Sequence, residues 1–154
     1  MNNSNVYIAL LHYPVYNKRG DVVTTAVTNM DIHDISRAAK SYGIRRFYIV
    51  TPIRKQQEFV RRIIEHWQKG YGATYNPSRK EAVDTVDIKS TLADVVTDIV
   101  RESAVNVFIV TTSAASKKNT TTYSDLRHRM DEEGGNYLLL FGTGWGITDD
   151  VFSR

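Results

Sequence analysis

The chain has 154 residues, 42% hydrophobic and 24% charged, with a formal net charge of +3 and no cysteine. That length and balance suit one domain with a proper core and exclude a disordered chain, and without cysteine there is no disulfide, thiolate metal site or cysteine nucleophile. No apolar run approaches the ~20 residues that cross a bilayer, and Val6–Leu11 is too short, with no basic segment before it, for a signal peptide, so the expected compartment is the cytosol.

In chain order, apolar strands alternate with helical patterns. Val6 to Tyr13 reads as a first strand. The segment from Pro14 to about Met30 is a long connection for an α/β unit and is rich in Asn, Lys, Arg, Gly and Thr, which marks a functional loop. A helix follows from about Asp31 to Tyr42, with Ile32, Ile35, Ala38, Ala39 and Tyr42 as the stripe toward a sheet and Gly43 as its end. Arg46 to Thr51 is a second strand. Pro52 closes it and is placed to start the next helix, where its missing N–H costs nothing; Phe59, Val60, Ile63, Ile64 and Trp67 form that helix's apolar face. After a turn at Gly70–Ala73 and a loop around Asn76-Pro77, the alternation of Val83, Asp84, Val86 and Asp87 predicts a weak edge strand over about Ala82 to Ile88. Thr91 and Asp94 have capping-box spacing ahead of a helix with Leu92, Val95, Val96, Ile99 and Val100 on one face. Val105 to Val110 is apolar but for Asn106, which predicts a central strand buried on both faces.

That run opens into a hydroxyl-rich loop, Thr111 to Ser116 and on to Tyr123. Such a loop at a strand's carboxyl end is either a ligand wall or simple solvated chain. A weaker helix over Tyr123 to Glu133 leads through Gly134-Gly135 to Tyr137–Phe141, apolar throughout and so buried on both faces. Gly142, Gly144 and Gly146 follow at alternate positions. A buried parallel strand that opens into a glycine-rich turn is where open α/β sheets bind ligands, although the same glycines also suit a tight strand-to-helix turn. Ile147 to Arg154 begins a last helix. The pattern as a whole predicts an α/β fold with a largely parallel sheet of about five strands flanked by helices, in a single domain over 1–154.

Charge is uneven along the chain. Residues 1–80 hold 13 of the 20 Lys and Arg and 5 of the 17 Asp and Glu, a balance of +8, and the remainder carries −5. The adjacent pairs Lys18-Arg19, Arg45-Arg46, Arg54-Lys55, Arg61-Arg62 and Arg79-Lys80 are what a polyanion-binding face contains, and also what solvated helices contain.

Two segments carry a family resemblance. Asn29 to Pro52, a helix with a candidate inward Arg that ends in Tyr42-Gly43 before a strand and Pro, resembles the first SPOUT motif, and Leu140-Phe-Gly-Thr-Gly-Trp-Gly-Ile147 resembles the second. With His12-Tyr-Pro-Val-Tyr-Asn-Lys-Arg-Gly20, nearly the whole chain is similar to a bacterial group of SPOUT proteins, S-adenosylmethionine-dependent RNA methyltransferases. The resemblance implies an α/β-knot fold, a homodimer, RNA as the partner and S-adenosylmethionine as the cofactor, with no metal and no membrane. By position it implies cofactor walls at Thr111, Thr112 and Ser113 and at Phe141, Gly142, Thr143, Gly144 and Gly146. Backbone N–H and C=O groups that glycines expose, and Thr hydroxyls beside a ribose, suit such a ligand.

Arg37 matches the motif Arg that approaches the acceptor hydroxyl in ribose-methylating relatives, and Asp31 stands where that motif has Asn. Asp31 is therefore a candidate base beside its other role as a helix cap, and Arg37 a candidate acceptor-orienting group beside its other role as an ion-pair partner of Asp34. His33 stands where the motif has Gly, so both ribose and base acceptors stay open. Family members continue with another strand, a third motif loop and a C-terminal helix that form the knot; the expectation is that this segment is missing from a C-terminally incomplete domain ending at Arg154. Two further readings stand beside the enzyme: a non-catalytic RNA-binding or dimerisation module of the same fold, and a nucleotide-binding α/β domain. Against the last, the glycines follow the final strand rather than the first, with no acidic residue about 20 positions on.

Overall fold

The computed structural model describes residues 4–153. In chain order its elements are β1 (Ser4–Leu11), β2 (Val15–Tyr16), β3 (Val22–Val23), α1 (Asn29–Ser41), β4 (Arg46–Val50), α2 (Arg54–Gln68), α3 (Tyr71–Tyr75), α4 (Pro77–Val83), β5 (Val86–Lys89), α5 (Leu92–Ser103), β6 (Val107–Thr111), α6 (Tyr123–Glu133), β7 (Gly135–Gly142) and α7 (Asp149–Phe152). Five strands form one parallel sheet in the order β5-β4-β1-β7-β6, and β2 pairs with β3 as a small antiparallel arm. The expected five-stranded parallel sheet with flanking helices is present.

The sheet is covered on both sides, and strand alternation sorts the core accordingly. Tyr7, Ala9, Leu11, Tyr48, Val50, Leu138 and Leu140 face Val95 and Ile99 of α5 together with Ile147 and Val151. Ile8, Leu10, Phe47 and Ile49 face Ile32 and Ala39 of α1 and Val60 of α2. Helix starts are fixed by local chemistry. Thr28 Oγ1 accepts the Asp31 N–H at 3.1 Å while Asp31 Oδ2 accepts the Thr28 N–H at 2.8 Å, and Thr91 with Asp94 repeats the same capping box; each cap stabilises its helix by about 1 kcal/mol.

Several expectations are corrected. The strand expected to be central over 105–110 is β6, at the sheet edge, with Phe108 and Ile109 each 42% exposed. Among the described residues β6 pairs with β7 alone, and Phe108 and Ile109, on opposite faces of the strand, are both left partly in water despite the apolar composition. In β7 itself, Phe141 at the carboxyl end is 41% exposed rather than buried. The turn and loop expected at 70–77 are the short helices α3 and α4, and the weak strand shrinks to Val86–Lys89, though it is an edge as expected. Pro52 lies before the N-cap Ile53 rather than inside α2. In the α1 stripe, Ala38 and Tyr42 are exposed. The first strand ends at Leu11, not Tyr13, and the long loop after it contains the β2–β3 arm. The last helix is only Asp149–Phe152; Arg154, which the expectation included, lies outside the described residues.

Candidate active site

Because all five sheet strands are parallel, their carboxyl ends share one edge, and the segments after β1, β6 and β7 meet there. The β2–β3 arm folds back onto the glycine-rich turn. Tyr16 N–H donates to Gly146 O at 2.9 Å, Trp145 N–H donates to Tyr16 O at 2.9 Å, Thr148 N–H donates to Pro14 O at 3.3 Å, and Val15 bridges Ile147. At the arm's tip Asn17 Oδ1 accepts the N–H groups of Arg19 and Asp21, at 2.8 and 3.0 Å. This turn holds Lys18 and Arg19 out in solvent.

Beneath the arm runs a buried polar chain. His12, 1% exposed, follows the last residue of the central strand. Its Nδ1 lies 3.0 Å from Thr25 Oγ1, which shares a short hydrogen bond with Thr143 Oγ1, and Thr143 Oγ1 donates to Leu11 O at 3.0 Å. Since the Thr143 proton goes to Leu11, Thr25 donates to Thr143 and His12 Nδ1–H donates to Thr25. The tautomer is thereby set, leaving Nε2 as the proton-free nitrogen. That Nε2 is buried without a partner among the described residues. Burial holds the His12 imidazole below its ordinary pKa, against a smaller upward pull from Asp31, so the ring is neutral near pH 7. His12 and Thr25 carried no role in the sequence beyond the resemblance around His12; the only available signal was a polar residue at the carboxyl end of an apolar strand.

The residues expected to wall a cofactor divide into four groups. Thr111, Thr112 and Ser113 line a cavity of about 450 Å³ with Lys117, Thr122, Tyr123 and Phe152, a volume in the range of small-molecule sites. Thr112 is fixed to the neighbouring strand, its N–H and its hydroxyl both donating to Leu140 O, at 3.1 and 2.8 Å, and Ser113 Oγ accepts the Ala115 N–H at 3.1 Å. Phe141 and Gly142 instead line an apolar groove of about 670 Å³ between the sheet and α1, together with Leu139, Ile35, Ala38, Tyr42 and Asp34. Thr143 and Gly144 turn toward the arm. A Cβ on Gly144, at φ +58°, would stand 2.8 Å from Tyr16 O, so the close approach this glycine permits is to the chain's own backbone. Gly146, at φ +106°, has nothing within 4 Å of where a Cβ would lie and is the open glycine of the three.

Asp31 is the third residue of the α1 capping box, whose cap is Thr28, and its carboxylate accepts the Thr28 N–H. It sits in the first turn of α1. Arg37 lies six residues further along the helix and donates to Asp34 at 2.6 Å in an exposed pair. Asp34, the partner of Arg37, belongs to the groove that also contains Phe141 and Gly142, whereas Asp31 and Arg37 themselves do not line it. Among the described residues no cluster of three or more His, Asp or Glu could hold a metal ion, and no helix is long and apolar enough to cross a membrane.

The model of a family described as SAM-dependent RNA methyltransferase matches residues 5–154. A protein of Aquifex aeolicus (strain VF5), itself named only as uncharacterized, is 41% identical over 153 residues, 99% of this chain and 75% of its own length. Two proteins named tRNA (guanine-N(1)-)-methyltransferase are each 37% identical: that of Oleidesulfovibrio alaskensis over 97% of this chain, and that of Nitratidesulfovibrio vulgaris over 96%. The chain spans only 35% and 34% of their lengths.

Proposed function

This chain belongs to the family of SAM-dependent RNA methyltransferases, and from that premise we propose that it transfers a methyl group from S-adenosylmethionine to a ribose hydroxyl or base nitrogen of RNA. The observation that carries the reading is that the Thr111–Ser113 loop and the Phe141–Gly146 turn leave the carboxyl ends of adjacent parallel strands, within a family match that covers nearly the whole chain. Its residues fit the cofactor. The space beside Gly146 Cα is open, although its N–H and C=O are bonded within the turn and to the arm, and the cavity beside Thr111–Ser113 combines hydroxyls with the rings of Tyr123 and Phe152.

In this reading Thr111, Thr112, Ser113, Phe141, Gly142 and Gly146 contact the cofactor, while Thr143 and Gly144 hold the turn in shape through Thr25 and Tyr16. S-adenosylmethionine supplies an electrophilic methyl on a sulfonium. Most of the protein's contribution is then alignment of the acceptor. Arg37 orients it, and Asp31, at the start of the same helix, accepts its proton. The basic first half of the chain, with Lys18-Arg19 at the arm's tip, meets RNA phosphates. The apolar groove lined by Ile35, Ala38, Tyr42 and Phe141 supports a homodimer, and a cytosolic location goes with RNA as substrate. The domain unit proposed is 1–154, and the two relatives' names make a tRNA guanine the first acceptor to test.

The test has two arms: calorimetric titration with S-adenosylhomocysteine, and labelled methyl transfer onto total RNA from cells lacking the protein. Cofactor binding with transfer is the expected result. RNA binding without cofactor binding would leave a non-catalytic module of the same fold. Cofactor-site binding of a nicotinamide nucleotide but not of S-adenosylhomocysteine would overturn the reading.

A further inference from the structure

The region from α2 to α4 takes no part in the site above, yet it is the most basic portion of the chain. Residues 54–80 hold seven Lys and Arg against two Glu, a balance of +5 in a chain whose total is +3, so all the remaining residues sum to −2. Arg54 is paired with Glu58 and Lys80 with Asp84. Among the described residues Lys55, Arg62 and Lys69 have no ion-pair partner. Arg62, His66 and Lys69 stand at helical spacing along one exposed face of α2 and its cap, with Glu65 beside them and Glu58 one turn before Arg62 but paired to Arg54, and that face leads directly into α3.

In α3 the side chains of Tyr71 and Tyr75 are one turn apart and 75% and 72% exposed. Their rings stack on each other, with centroids 5.8 Å apart and planes 25° from parallel. Five residues are too few for a helix to persist unaided, and the neighbouring residues pin this one. A Cβ on Gly72 would lie 2.6 Å from the Trp67 ring, and one on Gly70 would lie 2.8 Å from His66 O, so both glycines let α3 close onto the end of α2. Trp67 in turn is held edge-on by His33 at 5.4 Å and covered by the Arg79 guanidinium at 4.9 Å. The inner side of α3 is therefore anchored while its outer side presents a rigid pair of aromatic rings to water.

We propose that Tyr71 and Tyr75 form a stacking platform for unpaired bases of an RNA strand whose phosphates are met by Arg62 and Lys69. Flat, exposed, pre-ordered aromatic faces next to unpaired cations are the combination that single-stranded nucleic acid uses: the rings take bases of any sequence, and the cations track the backbone. A protein partner of ordinary composition has less call for the cations, and a duplex has no free base face to offer the rings. The proposal rests on the RNA-methyltransferase reading and adds to it a substrate class, RNA with a single-stranded segment.

The test is fluorescence anisotropy with the full chain, a labelled short oligoadenylate and a labelled RNA hairpin duplex, at several salt concentrations. Tyr71→Ala/Tyr75→Ala should weaken oligoadenylate binding about tenfold or more, leave duplex binding unchanged and leave the salt slope unchanged. Tyr71→Phe/Tyr75→Phe should bind as wild type, because stacking needs the ring and not the hydroxyl. Arg62→Ala/Lys69→Ala should reduce the slope of log affinity against log salt by about 1.4, from two lost phosphate contacts. Wild-type affinity in the double-Ala variant, an equal loss on the duplex, or no oligoadenylate binding by the wild type would each overturn the platform. So would a double-Ala variant that changes oligomeric state in sedimentation while keeping its RNA affinity, which would make the surface a protein interface. S-adenosylhomocysteine titration in parallel separates the two levels: its failure strikes the enzyme reading, whereas the tyrosine results strike only the platform.

Discussion

Replacing Gly144 by Ala should damage the molecule through the arm before it damages cofactor binding. The residue has φ +58°, a conformation that costs an L side chain about 1–2 kcal/mol. The new Cβ would also stand 2.8 Å from Tyr16 O and 3.4 Å from Thr25 Cγ2. Tyr16 O is backbone and is already held by the Trp145 N–H at 2.9 Å, so it cannot swing aside without loss of that hydrogen bond, worth about 1 kcal/mol. The total is about 2–3 kcal/mol, a large share of the ~5–15 kcal/mol that stabilises a typical domain. Gly20→Ala is the control, since Gly20 has φ +84° with nothing within 4 Å and isolates the backbone term. Urea unfolding should place Gly144→Ala about 1 kcal/mol or more below Gly20→Ala. Hydrogen exchange should show the Tyr16 and Trp145 amides losing protection in Gly144→Ala alone. Equal stability of the two variants, with both amides still protected, would refute the packing argument and return Gly144 to the cofactor wall as its only role.

Acid should weaken the fold through His12. Burial lowers its pKa, so as pH falls through the unfolded value of 6.5 the unfolded chain takes up a proton that the native state refuses, and stability drops until His12 is itself protonated in the fold. His33, lowered by burial and then by Arg79 and Arg37, adds with the same sign; a His12→Leu/His33→Gln variant that keeps the wild-type slope of stability between pH 7 and 5.5 would contradict this. Asp98 acts in the opposite range. Burial pulls its carboxyl up, but the Tyr48 hydroxyl at 2.9 Å and Lys89 at 3.3 Å together bring it below its ordinary value. The stability it confers is therefore present above the unfolded pKa of 3.8 and is lost as pH falls through the lower folded value, and Asp98→Ala should cost about 1–3 kcal/mol at neutral pH by leaving Tyr48 without its acceptor. Arg37→Ala should lower methyl transfer by orders of magnitude with cofactor affinity nearly intact; a loss of only about 0.3–0.5 kcal/mol of stability and no change in rate would confine it to the exposed pair with Asp34. Asp31→Asn keeps a side-chain oxygen for the Thr28 N–H, so stability should hold while the rate falls, and an unchanged rate would limit Asp31 to the capping box.

Periodicity and glycine placement made the architecture legible. Alternation and apolar runs located the five strands of the sheet, and Thr91 with Asp94, three residues apart, marked a helix start whose two hydrogen bonds both form. The family resemblance was also legible, because its two motifs are contiguous runs of sequence. Local patterns of this kind reflect the pleat of a strand or the turn of a helix, which each segment fulfils by itself.

Neighbourhood was not legible. The run at 105–110 has the composition of a central strand, yet β6 lies at the edge, since only pairing decides how many partners a strand has. Asn76-Pro77 read as a loop because both residues break helices, but Asn76 caps α4, accepting the Arg79 N–H at 3.0 Å, and Pro77 takes the first helical position where no N–H is needed. Three glycines after β7 looked equivalent in sequence. Tertiary structure makes Gly142 a contact of Ile147, Gly144 a contact of Tyr16 and Gly146 alone open. His12, Thr25 and Thr143 are 13 and 118 positions apart along their chain of hydrogen bonds. Residue patterns a few positions long placed the five sheet strands, the longer helices and the family motifs, but not the short helices α3 and α4. Which glycine faces a ligand, and which histidine is buried at the end of the central strand, depend on contacts between distant segments that exist only once the sheet has closed and the arm has folded over it.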